Sequence, residues 1–238
     1  MTYAITVVTV FVAATLQSLS GFGFALVVMP VLTLVVGLET AAPTVALTAL
    51  TLYVINVFRY RRSIDLGEVF RQGLTSALGV PIGIWVLSTV NEHLVKQVMG
   101  ICLVLYAVYS LARPVVSWRP GPIWVYPAGF FAGCLAGAYN IPGPPVVVYG
   151  SLRRWPRDEF RAILQSLFLV NGSLVVTSHL LAGNVTSQVL INWLYTFPVL
   201  LLGILVGSLV DRRADRDAFR ALVQAMILVM GVALVVGV

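Results

Sequence analysis

The chain has 238 residues, 59% of them hydrophobic and only 10% charged, with a mean hydropathy of +0.96; soluble domains carry roughly 25% charged residues, so this is not a soluble globular protein. At roughly 20 apolar residues per crossing it holds about ten closely connected membrane segments, leaving no room for an aqueous catalytic module, a motor ATPase or a receptor ectodomain. A net charge of +6 would suggest nucleic acid in a soluble protein, but here the basic residues fall on one set of loops, and no nucleic-acid partner is expected.

In chain order the apolar segments are 2–20, 22–38, 41–58, 73–90, 98–112, 123–139, 142–152, 162–182, 189–210 and 221–238. No Lys or Arg precedes Arg59, so the first segment lacks the basic flank of a signal peptide and reads as a retained span. No long linker separates the segments, and the chain reads as a single transmembrane domain over 1–238. The two cysteines, Cys102 and Cys134, lie in apolar stretches; free buried thiols are expected, with no disulfide framework, no metal centre and no cofactor.

Fourteen of the fifteen basic residues are Arg. Counting every segment as a crossing, or the second as one arm of a re-entrant hairpin with the first, all fourteen fall on loops that follow odd-numbered segments, and Lys96 alone falls on the other set. This is a strong positive-inside signal, and it places both termini outside the cytoplasm.

The same spacing reveals an internal repeat. Gly79 and Gly83 recur at Gly203 and Gly207, 124 residues later, each pair leading into an apolar run, a polar stretch and a further apolar segment. Repeat one spans 1–112 and repeat two 123–238. Five segments is an odd number, so the second copy must be inverted, and the loops agree: Arg59 to Arg62 corresponds to the uncharged 182–187, and 91–96 to the Arg-rich 211–220. The fold class that follows is an all-α polytopic membrane protein of about 8–10 segments, in two inverted repeats whose interrupted or re-entrant half-helices meet near the midplane, an architecture of secondary transporters.

Two interruptions stand out. Gln17-Ser-Leu-Ser-Gly-Phe-Gly-Phe24 precedes the second segment, and Gly137-Ala-Tyr-Asn-Ile-Pro-Gly-Pro-Pro145 precedes the seventh. Pro142, Pro144 and Pro145 cannot lie inside a regular helix but suit its first turn, so segment seven reads as a half-helix that starts within the membrane. Aligning Gly23 with Gly143 brings Ser20 opposite Asn140. Two helix N-termini converging from opposite leaflets would hold an anion by their N–H groups and dipoles, without any buried Arg or Lys. The alternative is that the glycines only allow close packing and the prolines only kink.

The paired glycine motifs, the short half-helix and the 137–145 signature resemble the sulfite exporter TauE/SafE family of bacterial membrane permeases, and the resemblance covers essentially the whole chain. It implies transport across the bacterial inner membrane, in the export direction, of a small anion such as sulfite, a sulfonate or a carboxylate. The candidate substrate-binding residues are Gln17, Ser20, Gly21, Gly23, Tyr139, Asn140, Gly143, Gln165 and Asn171. The partners implied are a small anionic substrate and the lipid bilayer, with a homodimer left open.

Other intramembrane polar residues either line a pathway or bond a neighbouring helix. Thr48 and Asn56 are about 80° apart and can share a face, whereas Gln165 and Asn171 are about 120° apart and cannot both point at one ligand. Asn171-Gly172 reads as a site of local distortion. The Gly79/Gly83, Gly129/Gly133/Gly137 and Gly203/Gly207 series fit small-residue helix contacts. His179 is expected to be interfacial or hydrogen-bonded. Arg153, Arg154 and Arg157 either form a solvated cluster or gather anions at the cytoplasmic mouth.

All nine acids fall in loops or at segment ends, which disfavours proton relay through a buried carboxylate. An anion leaving a cell that is negative inside gains about 2.3 kcal/mol per charge per 100 mV, so uncoupled export is feasible. The alternatives are a membrane-embedded enzyme, for which only a Ser20–His179 pairing remains open, and a non-transporting scaffold, which gains nothing from interrupted helices in lipid.

Overall fold

The computed structural model describes residues 2–112, 119–210, 225, 227–229 and 231–236. Among them every regular element is a helix: α1 (Thr2–Ser20), α2 (Phe24–Val36), α3 (Leu38–Tyr60), α4 (Leu66–Thr89), α5 (Glu92–Ala112), α6 (Val125–Tyr139), α7 (Gly143–Arg153), α8 (Arg157–Leu181) and α9 (Ser187–Val210), with short 3₁₀ turns at Arg61–Ser63 and Pro122–Trp124 and helical residues again at 227–229 and 231–236. Backbone groups in hydrocarbon must bond within their own segment, which is why these apolar runs become helices. Four ranges, Tyr3–Ser20, Leu38–Ser63, Arg157–Leu181 and Ser187–Val210, are long and apolar enough to cross a bilayer. Residues 113–118, the loop 211–220, and positions 221–224, 226, 230, 237 and 238 of the last segment lie outside the described residues.

The largest departure from the sequence reading is the start of α4. Leu66–Gln72 reads as a polar loop, yet the helix begins there because Asp65 caps it, accepting from the N–H groups of Gly67 (2.8 Å) and Glu68 (3.1 Å). The faces of α4 are sorted for lipid. Phe70, Leu74, Leu78, Ile82 and Trp85 are exposed, while Glu68, Gln72, Ser76, Gly79, Val80 and Gly83 are buried, so the apolar stripe faces outward and the polar one inward. On α5 the exposed residues Leu94, Val98, Ile101, Leu105 and Val108 follow helical spacing in the same way.

α4 packs along α6, and α1 along α9. Gly79 and Gly83 face the α6 backbone at Phe130, Cys134 and Ala138, and Gly129, Gly133 and Gly137 face α4 at Gln72, Ser76 and Val80. Gly203 and Gly207 lie against α1, where an added Cβ would come within 2.8 Å and 2.6 Å of the Phe11 and Thr15 carbonyl oxygens. These glycines act in packing, as their spacing implied. α3 and α8 pack against each other and run antiparallel, with Arg161 over the Tyr60 ring, Asn56 bonded to Gln165, and the Tyr53 and Phe168 rings 5.3 Å apart. Gly172 does not distort α8, which is helical throughout. It lets α3 approach: a Cβ there would meet Tyr53 Cδ2 at 3.3 Å and Leu50 Cδ1 at 3.4 Å.

Candidate functional site

The first break separates α1 from α2 at Gly21-Phe-Gly23, where Gly21 (φ +87°) and Gly23 (φ +112°) adopt left-handed conformations that strain an L side chain. Ser20 is used within the turn, donating to the Leu16 carbonyl (2.8 Å) and accepting from the Phe22 N–H (3.3 Å). Gln17 reaches over the break: its Oε1 accepts from the Phe24 N–H at 2.9 Å. α8 holds the break from the other side, with Gln165 Nε2 donating to the Gly21 carbonyl at 2.6 Å and Gln165 Oε1 accepting from Asn56 Nδ2 (3.3 Å) and Gln17 Nε2 (3.4 Å).

Arg161 corrects the sequence reading. It stands where a solvated loop was expected, but α8 begins at Arg157, and Arg161 is only 4% exposed, with Nη2 donating to the Leu19 carbonyl. A cation is therefore buried at the first break, against the expectation that no Arg or Lys would be. Its charge is tolerated because it meets the carbonyl end of α1, the negative pole of that helix, and the Tyr60 ring. Because Gln17 already caps the first N–H of α2, an anion approaching that terminus would have to displace the Gln17 amide.

The second break separates α6 from α7. Asn140 (φ 58°, ψ 23°) ends α6 in the left-handed region, where Asn is among the few non-glycine residues at ease; its N–H returns to the Ala136 carbonyl (2.8 Å) and that of Ile141 to Leu135 (3.2 Å). Its side-chain Nδ2 donates to the Ala42 carbonyl of α3 at 3.0 Å. α7 opens with Gly143-Pro144-Pro145, so of these three residues only Gly143 carries an N–H. The positive pole of α7 thus acts through its dipole and one donor rather than through a cradle of N–H groups.

Beside this break lies a cavity lined by Ala46, Ala49 and Tyr53 of α3, Ala136 and Asn140 of α6, Pro142, and Asn171, Gly172 and Val175 of α8. Its volume of about 10 Å³, measured to the centre of a water molecule, has room for about one water. Asn171 Oδ1 accepts from Ser76 Oγ at 2.6 Å, while its Nδ2 is buried with no hydrogen-bond partner among the described residues.

The candidate residues thus divide between two places. Gln17, Ser20, Gly21, Gly23 and Gln165 meet at the first break, and Asn140 and Asn171 at the cavity by the second. Gly143 faces the Phe168 ring between them, where an added Cβ would lie 3.6 Å from Cζ. Tyr139 is buried in the apolar core and does not line the cavity. Gln165 and Asn171 serve different breaks, as their angular separation required, and Thr48 bonds Thr196 of α9 at 3.4 Å rather than joining Asn56. Arg161, Tyr53 and Ser76 were missed by the sequence reading. The available signal was that Arg161 lies one turn before Gln165 on the same helix face.

A family model described as "Sulfite exporter TauE/SafE" matches residues 6–234, nearly the whole chain. The chain belongs to this family. The TauE/SafE proteins are membrane permeases for sulfur-containing anions and not enzymes, which fits a multi-pass helical chain with several apolar helices. The Ser20–His179 pairing, the one enzymatic arrangement left open, does not form: Ser20 is bonded within the first break, and His179 Nδ1 lies 3.2 Å from Asn184 Nδ2 in the turn after α8. No curated protein and no solved structure matched the chain.

Proposed function

We propose that this TauE/SafE protein exports a small sulfur oxyanion or sulfonate by alternating access, with both termini outside the cytoplasm, and that the anion sits in the α3/α6/α7/α8 cavity between Asn140 and Asn171, at the positive end of α7. The observation that carries this reading is the unpartnered Asn171 Nδ2, a buried donor at a cavity beside a helix N-terminus. A cavity with room for about one water is too small for a sulfonate, so binding requires α6 and α7 to move against α3 and α8, as alternating access demands.

The inverted-repeat reading draws support from which helices touch. Exchanging α1 with α6, α2 with α7, α3 with α8 and α4 with α9 turns the α1–α9 contact into α6–α4, α3–α9 into α8–α4, and α1–α2 into α6–α7, all of which occur. On this reading the two breaks are counterparts: each ends an outer helix and starts a half-helix about 16–20 Å long, short of the roughly 30 Å hydrocarbon core.

The membrane potential supplies the driving force, about 2.3 kcal/mol per charge per 100 mV. One observation favours a proton-coupled alternative. Glu68 does not lie in solvent as expected but is 4% exposed in the first turn of α4.

The test is flux of sulfite and a panel of sulfonates and carboxylates into proteoliposomes, for the native chain and for Asn140→Gly. Glycine keeps the left-handed backbone at 140 and removes only the side chain. Loss of flux in a variant that still inserts supports the site. Unchanged flux removes Asn140 from it.

A further inference from the structure

Glu68, Gln72 and Ser76 recur every fourth residue on α4 and lie one above another, only 4%, 0% and 0% exposed. The inner end of this line meets the cavity, through Ser76 Oγ and Asn171. The outer end meets a charged cluster. Glu68 Oε1 is 3.4 Å from Arg71 Nη2 and 4.0 Å from Nη2 of Arg153, at the end of α7, and Arg153 Nη1 also donates to the Pro120 carbonyl (3.4 Å). Two guanidinium groups face one carboxylate, leaving the cluster net positive, and their side chains are 40% and 34% exposed.

Between the two ends, Gln72 has no hydrogen bond at either Nε2 or Oε1 among the described residues, and Glu68 Oε2, Tyr149 Oη, Arg71 Nε and Arg153 Nε are likewise buried without one. Buried polar atoms in native proteins are satisfied by protein or by ordered water. Packing alone does not call for Glu and Gln on this face, whose next turns meet α6 through Gly79, Val80 and Gly83. A run of buried, unsatisfied donors and acceptors between a basic cluster and the Ser76–Asn171 pair at the cavity is instead what a solvated anion passage needs.

We propose that the Glu68–Gln72–Ser76 line of α4 is the half of the anion's path that opens on the Arg62 face of the membrane, entered between Arg71 and Arg153. It takes small sulfur oxyanions and sulfonates. The proposal rests on the transporter reading and extends it. The entering anion replaces the Glu68 carboxylate on the two guanidinium groups, then passes the Gln72 amide to reach Asn171 Nδ2.

The experiment uses single cysteines in the full chain with Cys102 and Cys134 replaced by alanine, in sealed vesicles of each orientation. Gln72→Cys is treated with an anionic sulfonate-bearing methanethiosulfonate and with its cationic ammonium counterpart, and Arg62→Cys, on an exposed turn, marks the face. The expected result is labelling of position 72 from the Arg62 face, about tenfold faster with the anionic reagent once each rate is divided by that reagent's rate with a free thiol in solution, with that preference falling when Arg153→Gln is added. Ser76→Cys, one turn deeper, gives the same reading if Gln72→Cys fails to insert. No labelling from the Arg62 face in an inserted variant, or equal normalised rates with the two reagents, overturns the proposal. The readout involves no transported substrate, so a negative flux result for Asn140→Gly and a negative labelling result remain distinguishable.

Discussion

Gln165 Nε2 donates to the Gly21 carbonyl at 2.6 Å, so the break between α1 and α2 is held open by a side chain from the other half of the molecule. The same amide accepts from Asn56 and Gln17 through its oxygen, and it is wholly buried. Glycine conformations allow the break, and the Gln165 amide fixes its geometry.

Replacing Gln165 by Leu keeps the volume and removes both functions of the amide. It leaves the Gly21 carbonyl and the Asn56 amide without their partner, at a cost of about 1–3 kcal/mol for each buried polar group. The expected outcome is a lower melting temperature in detergent together with loss of anion flux. A Gln165→Leu protein with native flux would show that the first break has no role in transport.

At the α4–α6 interface, Gly133 faces the backbone of Ser76. Gly133→Ala overpacks it and is expected to destabilise by about 1–3 kcal/mol. Gly121 has nothing within 4 Å of an added Cβ and an extended φ of −67°, so Gly121→Ala is expected to be neutral. Thermal unfolding of the two variants side by side checks the contrast.

Asn171→Leu removes the unpartnered donor at the cavity and leaves Ser76 Oγ without its acceptor. Anion affinity is expected to fall about tenfold, which corresponds to about 1.4 kcal/mol, with insertion preserved. Ser76→Ala retains the Asn171 donor and is expected to weaken binding less. Equilibrium binding of sulfite to purified protein distinguishes the two, and equal losses would argue against Asn171 as the contact.

Glu68→Gln tests the proton-coupled alternative. If Glu68 serves the ion cluster at the first turn of α4 and carries no proton across, the variant keeps potential-driven flux in the absence of a pH gradient. Flux that in the native chain requires a pH gradient and in the variant disappears would assign the coupling to Glu68.

Much of this architecture was legible because membrane segments announce themselves by apolar length. The first was read at the bounds α1 occupies, and both breaks were found from glycine and proline. Charge misled where it is buried. Leu66–Gln72 and Arg161 looked like loop because a helix in lipid is expected to be apolar, yet Asp65 caps α4 ahead of Glu68, and α8 carries Arg161 to the carbonyl end of α1. Nothing local in the sequence says which distant carbonyl a given side chain will meet. Asn171-Gly172 failed differently: its turn-like composition suggested a distortion, while the glycine serves the approach of Tyr53 and Leu50 across a continuous helix.

The most direct test of the central claim is the dependence of sulfite flux on an imposed potential in proteoliposomes with equal pH on the two sides. The account predicts flux that follows the sign of the potential, with net charge moving alongside sulfite, and that disappears in Asn140→Gly. Sulfite flux that is indifferent to the potential, or that persists in Asn140→Gly, would contradict it.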